Sequence, residues 1–368
     1  MPTKPSKARK LVKSGKAVGK WNKLNQYYIQ LTFAPSSEAT QPIAVGIDPG
    51  KKYSGIGCVS SLYTLFTAHL FLPFETVKKR MEQRAMMRRN RRGRRINRKL
   101  PFDLRAHRQT RFNNRRKKKV APSIRANRQL EIRVVSELAK IYPVSAIVYE
   151  YVKADVDLTS SRNSAKSGKG FSAVMVGQKW AIEQLNKLAP VTTKLGWQTY
   201  FLRKHLELKK QKHSKGDAVA ATHAVDGVAL AASQFIDYIP FENSTGRGHC
   251  WKGKITITES PLEVIRRPPI SRRQLHLMVF SQGGKRRKYG GTITRHGVRK
   301  GDYVVAERKG VKYYGWCSGD TATAISLSNS NWKRLGQFSK NKVRLLKRST
   351  GLICTELTKG RRFLPSVN

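Results

Sequence analysis

Acidic residues are scarce in this sequence: 22 Asp and Glu stand against 74 Lys and Arg in 368 residues, a formal net charge of +52. Few partners other than nucleic acid can accept such a charge. Cysteine is also sparse. Cys58, Cys250, Cys317 and Cys354 lie far apart with no C-x-x-C pair, which excludes a disulfide framework and a four-cysteine zinc site and fits a reducing cytoplasm. Long apolar runs are missing too: the longest, "YTLFTAHLFLPF", has 12 residues, whereas a membrane span needs about 20. The opening "MPTKPSKARKLVKSGKA" is basic with no apolar core after it, so no signal peptide is expected. No internal repeat is found.

What is present is enough apolar material for a core. At 39% hydrophobic residues the chain is not a disordered polycation, and its length predicts about two to three domains. The charge also has a scale. A heteroduplex of about 20 base pairs carries about 40 phosphates, fewer than this chain has net positive charges, so a larger polyanion is implied.

Residues 1–40 form a basic lead ending in "NQYYIQLTF", which alternates like one strand. From Pro42 three apolar runs, "IAVGIDPG", "YSGIGCVS" and "LYTLFTAHLFL", predict an antiparallel meander. Residues 77–99 predict a helix with 12 Lys or Arg among the 22 residues from Lys78 to Lys99. Its cations go right round the helical wheel, so it is clothed by phosphates or else is a solvated basic arm. Beyond it, "SIRANRQLEIRVVSELAKIYP" predicts an amphipathic helix capped by Ser123, and "VSAIVYEYV" a buried strand holding Glu150. "LTSSRNSAKSGKG" reads as a loop, "FSAVMVGQKWAIEQLNKLAP" as a helix, "WQTYFLR" as a strand, and "GDAVAATHAVDGVALAASQFI" as a long helix. After about residue 237 the texture turns to β, with strands expected at "GKITIT", "GGTITRHG", "DYVVAERKG" and "KVRLLKR".

Three strands, helical material, then strand, helix, strand and helix is the order of a ribonuclease H-like α/β sheet. On it Asp48 sits on the first strand, Glu150 at the end of the fourth, and Asp226 on the last helix, so acids far apart in sequence converge. Such a cluster suits two Mg²⁺ ions, with Mn²⁺ as a substitute, which activate a water and stabilise the leaving oxygen of a phosphodiester. Buried acids in a phosphate-gripping protein are costly unless metal occupies them. Blander roles stay open: Asp48 before Pro-Gly could shape a turn, Glu150 could pair with an arginine, and His213 with Asp217 could replace His223 with Asp226. The last pair is favoured because a three-residue spacing puts both on one helical face, leaving His223 to position or deprotonate the attacking water.

The segments "VGIDPG", "IVYEYV" and "THAVDGVALA" resemble the three split segments of a RuvC nuclease domain. The arginine-rich helix resembles the bridge helix of RNA-guided nucleases. The N-terminal lead is similar to the PLMP region of the transposon-encoded IscB family, and "RRQLH" with "GGKRRKYGGTITRHGVRKGDYVV" to its C-terminal region. That family carries an HNH nuclease between the second and third RuvC segments. Here only 72 residues separate Glu150 from His223, with His205 and His213 but no cysteine, as in the HNH-lacking IsrB relatives.

The resemblance implies a PLMP-like region at 1–40, RuvC segment I at 41–74, bridge helix and basic linker at 75–122, and segment II at 123–160. A connecting helix with segment III follows at 161–236, then a mostly β domain that meets the target-adjacent motif at 237–368. It also implies a cytoplasmic, prokaryotic, monomeric protein in a particle with a guide RNA (ωRNA), acting on double-stranded DNA that carries an adjacent motif, with no membrane partner. The backbone-contacting residues it implies are Arg84, Arg88, Arg89, Arg91, Arg92, Arg94, Arg95, Arg98, Arg111, Arg115 and Arg116. A guide-independent junction resolvase and a non-catalytic RNA-binding protein are the rival readings. The resolvase would have no use for residues 77–119, and the RNA-binding protein none for three acids at sheet positions.

Each phosphate contact releases counterions. Replacing Arg84, Arg88, Arg91, Arg92 and Arg95 together with Ala should therefore weaken guide RNA binding and flatten its salt dependence. An unchanged slope of binding against salt would mark the helix as a solvated face.

Overall fold

The computed structural model describes residues 3–34, 37, 39–93, 96–104, 120–152, 173–211, 218–219, 221–243, 246–271, 275–279, 285–289 and 291–363. Among these, no helix is long and apolar enough to cross a membrane. In chain order the elements are α1 (Pro5–Lys13), β1 (Ala17–Trp21), β2 (Tyr27–Leu31), β3 (Ile43–Pro49), β4 (Tyr53–Ser60), β5 (Thr64–Phe71), α2 (Phe74–Gly93), α3 (Pro122–Leu138) and β6 (Val144–Tyr151). Then come α4 (Ala173–Leu185), β7 (Val191–Leu195), α5 (Gly196–His205), α6 (His223–Ala232), β8 (Asp237–Asn243), β9 (Gly246–Lys252), β10 (Ser260–Arg266), β11 (Leu275–Val279) and β12 (Lys285–Tyr289). The remaining strands are β13 (Tyr303–Arg308), β14 (Val311–Asp320), β15 (Ala324–Ser328), β16 (Arg334–Ser339), β17 (Val343–Lys347) and β18 (Ile353–Phe363).

The chain divides into two compact units. One comprises residues 1–11, 33–262 and 357–368; the other comprises 12–32 and 263–356. The first contains a mixed sheet with β5, β4, β3, β6 and β7 side by side. β3, β4 and β5 pair antiparallel, and β6 and β7 run parallel to β3. That is the order and polarity of a ribonuclease H-like sheet. The second unit is mostly β, around a five-stranded antiparallel sheet ordered β16-β15-β14-β13-β17, whose core gathers Val304, Ala306, Cys317, Ile325, Leu327 and Phe338.

Alternation along β3 sends its side chains to opposite faces of the sheet. Gly46 and Asp48 face one way, and the register pairs them with Gly57 and Gly55 of β4. On that face α6 lies directly on the strands. A Cβ added at Gly46 would stand 2.0 Å from the Gly227 carbonyl oxygen, one at Gly57 2.4 Å from the Val228 nitrogen, and one at Gly55 1.7 Å from the His223 carbonyl oxygen. Residues 224–232 of α6 are all buried. The opposite face carries Tyr149, whose hydroxyl accepts a hydrogen bond from Arg128 of α3. Arg128 also binds both oxygens of Glu131, and Glu131 accepts from Ser54 of β4. This buried network, with Asn127 donating to the Lys51 carbonyl and Arg128 to that of Gly50, fastens the turn that follows Asp48.

Several expectations are corrected. "WQTYFLR" is helical, not a strand: Thr199 and Leu202 are buried, and Trp197, Tyr200 and Phe201 follow helical spacing, which outweighs the β-propensity of aromatics. Of the long helix expected from Gly216, His223–Ala232 are helical as α6, while the described residues 218–219 and 221–222 before them are not. α3 starts with Pro122 in its first turn and Ala121 as N-cap, so Ser123 is not the cap. Residues 253–258 ("GKITIT") form no strand; Thr258 instead exchanges hydrogen bonds with Thr64 through backbone nitrogens and hydroxyls. Residues 291–297 of "GGTITRHG" form no strand, and Gly291 and Gly297 have φ of 84° and 74°; in the N-terminal lead the strand expected at "NQYYIQLTF" is β2, preceded by α1 and by β1, with which it pairs. By contact, residues 237–262 and 357–368 group with the first unit, and 12–32 with 263–356 in the second. The loop expected at 158–170 lies outside the described residues.

Because backbone cannot yield to a new methyl group, Gly57→Ala should cost at least about 1–3 kcal/mol by overpacking. Gly319→Ala, where a Cβ meets nothing within 4 Å, should be near neutral. Urea denaturation of the two variants checks this, and equal stabilities would refute the close seat of α6.

Candidate functional site

The parallel register of β3 and β6 pairs Gly46 with Val148, so Glu150, two residues on, projects on the same face as Asp48. Asp226 comes to that face from the first turn of α6, where a carboxylate also suits the helix dipole. Asp48, Glu150 and Asp226 are thereby brought to one place from two strands and a helix. His223, one turn before Asp226, sets its Nδ1 2.7 Å from Asp48 Oδ2. A carboxylate can only accept, so Nδ1–H donates and Nε2 remains the nitrogen that can take up a proton.

The three acids sense one another. Burial and then the Asp48 charge push the Glu150 carboxyl up to about 7, and Asp226 adds to the effect. Thr199 of α5 opposes it by donating a hydrogen bond of 2.6 Å to Glu150 Oε2. Asp226 is raised as well, by burial and by Asp48, against the pull of Lys210 and Arg203. Arg203 binds its Oδ1 and Lys210 its Oδ2 in short contacts. The Asp226 side chain is only 2% exposed, and a buried charge left without a partner is expensive, which is why two cations close on it.

Among the described residues, no three His, Cys, Asp or Glu stand close enough to hold a metal ion as they are placed. The donor chemistry nevertheless fits a hard divalent cation. All three groups are carboxylates, burial and then mutual repulsion raise two of them, and Asp226 already attracts positive charge.

His69, Thr199, Arg203 and Lys210 were not singled out in the sequence. His69 is buried on β5 with its ring 5.7 Å from that of His223 and 5.3 Å from that of Tyr53, and its sign was a histidine inside the longest apolar run. Arg203 and Lys210 carried no sign, being two among 74 cations. The alternatives His213 and Asp217 lie outside the described residues. On α2, Arg84, Arg88 and Arg89 are exposed and no residue from 74 to 89 is buried, so the helix forms with its cations outward; Arg98 just beyond it is exposed too. Of Arg91 and Arg92 only the helical backbone is described, and Arg94, Arg95, Arg111, Arg115 and Arg116 lie outside the described residues.

Residues 1–170 match the family model described as RRXRR protein, and residues 88–92 read Arg-Arg-Asn-Arg-Arg. Among solved structures, T. thermophilus RuvC in complex with a Holliday junction substrate is similar at 12% identity, over 51% of this chain and 89% of that chain, with a TM-score of 0.26. No curated protein matches the chain.

The Glu150 carboxyl makes a pH test in metal-free protein. Its folded value of about 7 lies above the ordinary 4.5, so the unfolded chain releases this proton first. The group therefore withdraws stability as pH rises from about 4.5 to 7, and the loss is complete above that. In EDTA, Glu150→Gln should melt close to wild type at pH 4.5 and increasingly above it towards pH 7.5. A difference that stays constant with pH would contradict the placement of Glu150 among other acids.

Proposed function

We propose that this protein is an RNA-guided DNA nickase, in which a structured guide RNA pairs with one DNA strand and the site of Asp48, Glu150 and Asp226 cuts the displaced one. The observation that carries the reading is the meeting of these three carboxylates, from β3, β6 and α6, in a chain of net charge +52. The match of residues 1–170 to a family characteristic of IscB-type nucleases supports it, as does the exposed arginine face of α2.

Asp48, Glu150 and Asp226 would hold Mg²⁺, which when bound supplies an activated water and charge stabilisation at the phosphate. The rest falls to the chain itself. Asp48 accepts a hydrogen bond from the Nδ1–H of His223 and so fixes the imidazole with Nε2 positioned to take a proton from the attacking water. Thr199 fixes the Glu150 carboxylate through its hydroxyl. Arg203 and Lys210 supply positive charge beside Asp226, where a phosphodiester oxygen can be met. One such site meets one phosphodiester at a time, and in this reading the paired strand is left uncut.

A metal's contribution of several kcal/mol, at about 1.4 kcal/mol per tenfold in rate, means that Asp48→Ala, Glu150→Ala or Asp226→Ala should each slow cutting by about 10³-fold or more. RNA-guided DNA binding should stay nearly intact. Supercoiled plasmid with a matched target should relax to open circles in Mg²⁺ and stop there, with 5′-phosphate ends on the non-target strand. Cleavage of both labelled strands at similar rates, or a parallel loss of binding and cutting in the variants, would overturn this reading.

A further inference from the structure

Helix α5 has two working sides. Its inner side holds the acids: Thr199 binds Glu150 and Arg203 binds Asp226. Its outer side carries Trp197, Tyr200 and Phe201, which are 52%, 49% and 50% exposed. At spacings of three and four residues they form one patch, with Tyr200 and Phe201 centroids 5.3 Å apart and Trp197 and Phe201 6.4 Å apart, both pairs edge to face. The Arg203 guanidinium lies 5.9 Å from the Tyr200 centroid, so patch and acids meet through one side chain.

Single exposed aromatics are ordinary, but three adjoining ones beside a site ask for an occupant. An apolar protein surface is a poor candidate, because the last turn of the same helix carries Arg203, Lys204 and His205, and docking would bury those charges. A polyanion that also presents flat π faces satisfies both features. Bases in a duplex are held with both faces against their neighbours, whereas those of a single strand stack only loosely and can turn a face to a protein ring. We propose that Trp197, Tyr200 and Phe201 form a stacking platform for unpaired bases of the DNA strand that the neighbouring carboxylates cut. The identity of that strand rests on the nuclease reading above; the stacking itself does not. Each stacked base contributes about 1–3 kcal/mol whatever its identity, which suits a site that must accept any displaced sequence. The platform also holds the strand by its bases, leaving the backbone free to pass the acids.

The test uses the full chain in EDTA and a labelled 20-nucleotide single strand, compared with a strand of equal length that is abasic at its central positions. Both carry the same phosphates, so counterion release is alike and the ratio of affinities isolates the bases. Replacing Trp197 and Phe201 together with Ala should weaken binding of the base-bearing strand at least about tenfold, from the stacking energy above at about 1.4 kcal/mol per tenfold. Binding of the abasic strand should change less than about twofold. The conservative pair W197F and F201Y should keep the wild-type ratio, and the single W197A and F201A variants repeat the comparison with a smaller disturbance of the helix. Equal loss on both strands in the single variants, no loss on either, or self-association of wild type that W197A abolishes would overturn the platform. A chain that discriminates between the strands but cuts nothing sinks only the nuclease reading; one that cuts but does not discriminate sinks only the platform.

Discussion

The site depends on the contact of one helix backbone with two strands. α6 can reach Asp48 only because Gly46, Gly55 and Gly57 leave no side chains between β3, β4 and the helix, and because Gly227 leaves none on the helix side. At ordinary helix-on-sheet separation, His223 could not bring Nδ1 within 2.7 Å of Asp48, and Asp226 would not raise the Glu150 carboxyl. The parallel pairing of β3 with β6 supplies the remaining condition, since it fixes Glu150 on the same face as Asp48. Register and close packing, neither of them chemical in itself, place the chemistry.

Around this contact the protein resolves a conflict of charge. A chain with +52 to distribute repels itself unless phosphates surround it, yet it buries acids on both faces of its central sheet. On one face Glu131 is held by Arg128 and Ser54. There both Glu131 oxygens are taken up by Arg128 and Ser54, and the network clamps the turn after Asp48. On the other face Asp226 meets Arg203 and Lys210, whose side chains are 12% and 22% exposed and reach in from α5 and the segment beyond it. The first arrangement is structural. The second can exchange its partners, which is what a site that alternates between cations and a phosphodiester needs.

How much of this was legible in the sequence follows from what each signal rests on. The three-strand meander and the strand of Glu150 were readable because apolar runs punctuated by Gly and Pro are local signals. Asp48, Glu150 and Asp226 stood out because acids are rare in this chain and each lay within an apolar stretch. The helical nature of residues 196–205 was missed because its exposed aromatics mimic a strand and its burial is tertiary. Arg203 and Lys210 were invisible among so many cations, and the meaning of Gly46, Gly55 and Gly57 emerges only when the register sets 46 beside 57 and 48 beside 55. The grouping of residues 12–32 with 263–356 likewise rests on contacts between distant parts of the chain that no local window contains.

The central claim is that the seat of α6 assembles a divalent-cation site from three carboxylates, and the charge of the chain makes that claim easy to probe. A protein with 74 cationic side chains and 22 acidic ones offers free metal ions few places to bind, so background binding is low. Titration of the purified, nucleic-acid-free protein with Mn²⁺, followed by the loss of the free-ion electron paramagnetic resonance signal, measures the site directly. The account predicts saturable binding in wild type that Asp48→Asn and Asp226→Asn each abolish. Binding that is absent in wild type, or unchanged in either variant, would contradict it.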